Sequence, residues 1–307
     1  MIITNRQNLP QTLVNAINSH EHKSDADISA SQLLKSPRAF WLGIRHNAEI
    51  EQDVSSMIWA LFGTAVHGIA EMGESKNSLA EEYFSKVQVG DFSVSGTADL
   101  YEDGIIYDWK TVSVWSLIFL DDSKLAEYIS QLNTYAYFFR RANMKVKGLK
   151  IVMIMRDWQK SKADFDCKYP SSQVKVLDIP LFSQYETGEY LKARIDYLMS
   201  FKDVPDDELP LCTKSYRWAK PSKWALMKIG RKSAVKLYDI EDEAKNEAYN
   251  LGSNHYVEER KADEWKRCEY CSARKFCNQT EFIETPIREN PELKCEMSYE
   301  KFMEVVG

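Results

Sequence analysis

Apolar positions along this chain change period in a fixed order, from helical spacing to strand-like runs and back. Between residues 54 and 72 they recur at Trp59, Phe62, Val66 and Ile69, the stripe of a helix, with Gly63 and Gly68 expected to allow close backbone approach. Strand patterns follow at 82–89, 92–101 and 105–111, and the triplet Glu102, Asp103, Gly104 between the last two predicts a tight hairpin. Helical spacing returns over 123–142 through Leu125, Tyr128, Ile129, Leu132, Tyr135, Ala136 and Phe139, and the apolar run 148–155 then reads as a strand. The pattern predicts an α/β core in the order helix, three strands, helix, strand.

Upstream, Ser29 with Gln32 forms a capping box that opens a helix, interrupted near Pro37 and resumed through Phe40, Trp41 and Leu42. Downstream, 174–179 reads as a strand and 182–201 as a helix, the acidic, proline-containing 203–210 as a linker, and 241–257 as a charged helix. Three regions result: an N-terminal arm (1–27), a core (28–202), and a basic, helical, cysteine-containing C-terminal region (203–307) that packs on the core.

Composition narrows the class. With 44% hydrophobic residues among 307, the chain can bury one large core, or a core and a smaller lobe. The N-terminus shows no basic and apolar leader, and the longest apolar runs, 57–62 and 151–155, are too short to span a bilayer, so a cytoplasmic protein without a membrane partner is expected. The net charge of -6 argues against indiscriminate polyanion binding. Its distribution is uneven, since 211–238 holds eight Lys and Arg and no Asp or Glu.

The hairpin carries the candidate chemistry. If it turns on Asp103 and Gly104, Tyr101 faces Ile106 and Asp99 faces Asp108. Like charges opposite one another on a sheet repel, and each raises the other's pKa unless a cation lies between them. Alternation puts Lys110 on the face of Asp108 and turns Tyr107 and Trp109 the other way, toward the core. Two carboxylates, an ammonium and a hard divalent cation would suffice for phosphodiester hydrolysis. The plain alternative is a solvent-facing hairpin with Lys110 as a surface counterion.

In order along the chain stand Gly63 and His67, Gly96 and Asp99, Asp108-Trp109-Lys110, and Gln131 and Tyr135. Over about residues 28–156, with a weaker echo at 265–277, this series resembles the RecB-like branch of the PD-(D/E)XK nuclease superfamily, which includes phage, mitochondrial and CRISPR-associated exonucleases. The resemblance implies a restriction-endonuclease-like mixed sheet flanked by helices, with added helical regions. It implies His67, Asp99, Asp108 and the Trp109 carbonyl as ligands of Mg2+ or Mn2+, with Lys110 positioning the attacking water. Gln131 and Tyr135 would orient the lysine or the DNA backbone, and Glu71 is a weaker supporting candidate. The implied activity is a phage-like DNA exonuclease of recombination, replication or end repair, partnered with DNA and with a single-strand annealing or replication protein. A flap or branched-DNA endonuclease and a non-catalytic DNA-binding subunit are the alternatives.

Cys268, Cys271 and Cys277 match the three C-terminal ligands of the iron-sulfur members of that branch, whose fourth cysteine precedes Pro-Arg near the N-terminus. Here Ser36 precedes Pro37 and Arg38. A four-iron cluster normally takes four cysteines, which leaves open a non-cysteine fourth ligand, a zinc site completed by Cys295 or His255, or no metal. In the basic stretch, Lys214, Arg217, Lys220, Lys223, Lys228, Arg231 and Lys232 alternate with Trp218 and Trp224, a combination suited to phosphates and stacked bases. A solvated helical face with core tryptophans is its ordinary counterpart.

Overall fold

The computed structural model describes residues 1–18, 24–73, 77–262 and 265–279. Strand β1 (Ile28–Ser29) runs into helix α1 (Ala30–Leu33), closed by the expected capping box: the Ser29 hydroxyl accepts the Gln32 N–H, and the Gln32 side chain accepts the Ser29 N–H at 2.8 Å. Pro37 is the first residue of α2 (Pro37–Arg45), where a missing N–H is no loss, and Ser36 is its N-cap. The interruption read at Pro37 is the start of a new helix.

After α3 (Ile58–Glu71), three antiparallel strands follow, β2 (Ser78–Val89), β3 (Phe92–Glu102) and β4 (Ile105–Val112). Asp103 and Gly104 turn the β3–β4 hairpin with φ of 51° and 90°, the left-handed pair that a two-residue loop needs to match strand twist. A short helix α4 (Val114–Ile118) and the long α5 (Asp122–Arg141) then carry the chain across the sheet, so that β5 (Gly148–Met155) lies parallel to β4. Strand β6 (Val174–Ile179) adds antiparallel to β5, and α6 (Gln184–Met199), capped by Ser183 and Glu186, packs on α5. The sheet order is β1-β3-β4-β5-β6, with β2 also on β3. It is a mixed sheet flanked by helices, and Val94, Ala98, Ile106, Leu132, Phe138, Phe139, Ile151 and Ile195 fill its buried core.

A second, three-stranded sheet is built from β7 (Lys223–Lys228), β8 (Lys236–Tyr238) and β9 (His255–Arg260), with β7 in the centre. Helix α7 (Glu241–Leu251) covers it through Ala244 and Ala248 against Leu226 and Tyr238. The helix expected over 241–257 therefore ends six residues early, at Gly252 with φ 85°, and Val257 lies in β9. The N-terminal arm contributes a strand, Ile2–Thr4, parallel to Glu51–Asp53, and a helix, Gln11–Asn18.

Two further expectations are corrected. The stripe on α3 does not face a core: Trp59, Phe62 and Ile69 are 61%, 54% and 70% exposed, and Gly68 has open space around it, because α3 touches the sheet along β4 and leaves its outer side uncovered. Nor is 203–210 a free linker. The buried Arg38 guanidinium donates to the carbonyls of Asp207, Leu209 and Pro210, and Arg45 donates to the Val204 carbonyl at 2.8 Å and to Asp206 at 2.5 Å. Backbone carbonyls satisfied by two guanidinium groups hold the segment as a strap on α2. No helix among the described residues is long and apolar enough to cross a membrane.

Gly96 explains how closely α5 approaches the sheet, since a Cβ there would lie 3.1 Å from Ala30, Tyr135 and Phe138. Gly96→Ala is therefore expected to destabilise by about 1–3 kcal/mol through overpacking. Gly68→Ala should be neutral or stabilising by up to about 1 kcal/mol, as an open helical position allows. Equilibrium urea unfolding of both variants checks the contrast.

Candidate active site

Hydrogen-bonded pairing between β3 and β4 runs from Glu102–Ile105 to Leu100–Tyr107 and stops there. The next pair in that register is Asp99 and Asp108. In place of a ladder bond, the Trp109 N–H donates to Asp99 Oδ2 at 2.8 Å, so the carboxylate itself caps the opening between the strands. Since N–H and C=O of a strand residue leave by the same edge, the Trp109 carbonyl faces that opening too.

Four elements converge here. From α3, His67 Nδ1 lies 3.4 Å from Asp99 Oδ1. From β4, Lys110 Nζ lies 2.6 Å from Asp108 Oδ2 as an ion pair, but off the angle of a hydrogen bond, so this buried oxygen has no aligned donor. From α5, Gln131 Oε1 accepts from Lys110 Nζ at 3.4 Å, and Gln131 Nε2 donates to the Tyr135 hydroxyl at 3.1 Å. The Tyr128 ring centroid lies 5.8 Å from Lys110 Nζ. His67, Asp99, Asp108, Lys110, Gln131 and Tyr135 thus share one locality, while the Glu71 side chain lies outside the described residues.

The polarity of β4 differs from the expectation. Ile106 and Asp108 face the core, and Asp108 is 1% exposed, whereas Tyr107 and Trp109 are only half-buried. The covering helix decides this, because α5 lies over the face that carries the acids.

Burial first, and the Asp108 charge second, push the Asp99 carboxyl up to about 6, against the pull of His67, the Trp109 N–H and Lys110. Burial likewise raises the Tyr135 hydroxyl far above the usual tyrosine range, so it acts as a neutral partner, and raises Tyr128 to about 12. Among the described residues no group of three or more His, Cys, Asp or Glu side chains is set to hold a metal ion as the side chains stand. The donor chemistry nevertheless suits a hard divalent cation: an imidazole and two carboxylates, one of which has a buried oxygen without an aligned donor.

The basic stretch forms no continuous track. Arg217 is 1% exposed, donates to the Cys212 carbonyl and lies over the Trp265 ring, so it is a core group and not a phosphate contact. Trp224 packs on the small core of the second sheet, Lys223 pairs with Asp239, and Trp218 lies beside the Arg267 guanidinium. Lys214, Lys220, Lys228, Arg231 and Lys232 remain exposed. The three clustered cysteines border one cavity beside α2, and Cys212, which stands far from them in the sequence, borders it as well. His255 lies on β9 beside Lys228 and does not line that cavity, and Cys295 lies outside the described residues.

No family model and no curated protein matches the chain. It is similar to the crystal structure of SSO0001, at 15% identity and a TM-score of 0.43 over 63% of this chain and 86% of that one, a likeness that carries no argument about function.

The Asp99 shift sets a pH dependence. Folded Asp99 keeps its proton up to about 6 while the unfolded chain releases it at the ordinary aspartate value of 3.8, so the folded state binds more protons over that window and stability falls as pH rises through it. Asp99→Asn, whose side-chain oxygen can still accept from Trp109, should therefore be more stable than wild type at pH 8 by about 1–3 kcal/mol in chelator, a gain that vanishes near pH 4. Urea midpoints across this range check it.

Proposed function

We propose that this chain is a divalent-metal-dependent deoxyribonuclease with a restriction-endonuclease-like core, acting as an exonuclease on DNA ends in recombination, replication or repair. The observation that carries the reading is the pair of a largely buried Asp99 and a fully buried Asp108, with the Lys110 ammonium 2.6 Å from Asp108 and tethered to Gln131. Asp99, Asp108 and His67, with the Trp109 carbonyl, would hold Mg2+ or Mn2+. When bound, the ion supplies Lewis acidity and lowers the pKa of water.

The chain's own groups divide the remaining work. Water attacks phosphorus, one P–O ester bond breaks, and the leaving oxygen takes up a proton. Lys110 holds the attacking oxygen and the charge growing on the phosphoryl oxygen. Gln131 fixes the position of Lys110, and neutral Tyr135 fixes Gln131 through the 3.1 Å hydrogen bond, so the ammonium is placed by a chain of contacts from α5. Cytoplasmic location and a single-strand annealing or replication partner belong to the same proposal. Internal cutting of flapped or branched DNA is the alternative mode, and the substrate separates the two: an exonuclease spares closed circular DNA, while an endonuclease cuts it.

Asp108→Ala and Lys110→Ala are each expected to lower cleavage of end-labelled linear DNA by at least about a thousandfold with Mg2+, while DNA binding is retained. Chelator should abolish wild-type cleavage. Residual activity within tenfold of wild type in either folded variant contradicts the assignment.

A further inference from the structure

Cys268 lies within a short turn of 3-10 helix, Lys266–Tyr270, Cys271 follows it directly, and Cys277 follows the next one, Arg274–Phe276. All three line a cavity of about 400 Å³ between α2 and the C-terminal segment, and Cys212 lines it from the strap that follows α6. The Cys212 sulfur lies 3.0 Å from the Ser36 hydroxyl, although 176 residues separate them in sequence. Two hydrogen bonds hold Cys212 there. Its N–H donates to Gln279 Oε1 at 3.0 Å, and its carbonyl accepts from Gln279 Nε2 at 2.9 Å, two residues beyond Cys277.

We propose that Cys212, Cys268, Cys271 and Cys277 are the four thiolate ligands of an iron-sulfur cluster, with Cys212 supplying the thiolate that position 36 lacks. Ser36 then serves as N-cap of α2 and hydrogen-bond partner of the Cys212 sulfur, and not as a ligand. Charge supports the same assignment. Lys35, Arg38, Arg217, Arg267 and Arg274 border the cavity, whereas Glu127, its acidic residue, is already paired with Lys124 and Arg267. A cationic lining stabilises an anionic tetrathiolate centre. The assignment stands independently of the nuclease reading.

The test measures iron, acid-labile sulfide, zinc and visible absorption of the full chain purified without oxygen. Wild type and Ser36→Ala should hold about four iron and four sulfide each, and Cys212→Ser should lose at least tenfold of both. Cys212→Ser combined with Ser36→Cys should regain iron, which separates ligand loss from misfolding. Full iron in Cys212→Ser, an iron-free double variant, stoichiometric zinc without sulfide, or no metal in wild type would each overturn the proposal.

Discussion

Two carboxylates that repel each other where α5 covers the sheet, one fully buried and the other largely so, are the constraint around which this structure is arranged. A largely buried Asp99 beside a fully buried Asp108 is tolerable only while something cationic or hydrogen-bonding faces both. The chain meets that demand three times over. A backbone N–H, from Trp109, replaces a ladder bond. The Lys110 ammonium pairs with Asp108, and the His67 imidazole comes in from helix α3. Each of these restricts the fold: the hairpin must open after Leu100–Tyr107, α3 must lie near β4, and α5 must cover the acids while presenting Gln131 and Tyr135. The Gly96 contact sets how near α5 can come.

The second organising interaction is Arg38. Fully buried, it binds carbonyls of the strap on one side and Asn278 Oδ1 at 2.7 Å on the other, with Cys277 Sγ at 4.0 Å. One side chain of α2 thereby ties the core to the strap and to the cysteine segment. The C-terminal region is consequently joined to the core by desolvated hydrogen bonds and does not hang from a linker.

Local signals in the sequence were legible because their cause is local. The Asp103-Gly104 turn, the capping box at Ser29 and the alternation of β4 each depend on a few neighbouring residues, and the register sum brings Asp99 and Asp108 together without further information. Signals that depend on the covering partner were misread. Trp59, Phe62 and Ile69 make a helical stripe whether or not anything packs on it, and only the position of α5 tells that Asp108, and not Trp109, faces inward. Arg217 reads as a phosphate contact until the chain folds Trp265 against it. Cys212 was missed for the same reason: metal-ligand spacing detects Cys268, Cys271 and Cys277, whereas a fourth thiol 56 residues before Cys268 has no spacing signal and is found only through its contact with Ser36.

Titration with Mn2+ followed by electron paramagnetic resonance tests the shared carboxylate site most directly, since free and bound ion are distinguished without reference to any substrate. The account predicts Mn2+ binding to wild type that Mg2+ displaces and that weakens at least about tenfold in Asp108→Asn, because one of two anionic ligands is lost. Equal Mn2+ affinity in wild type and Asp108→Asn would contradict it.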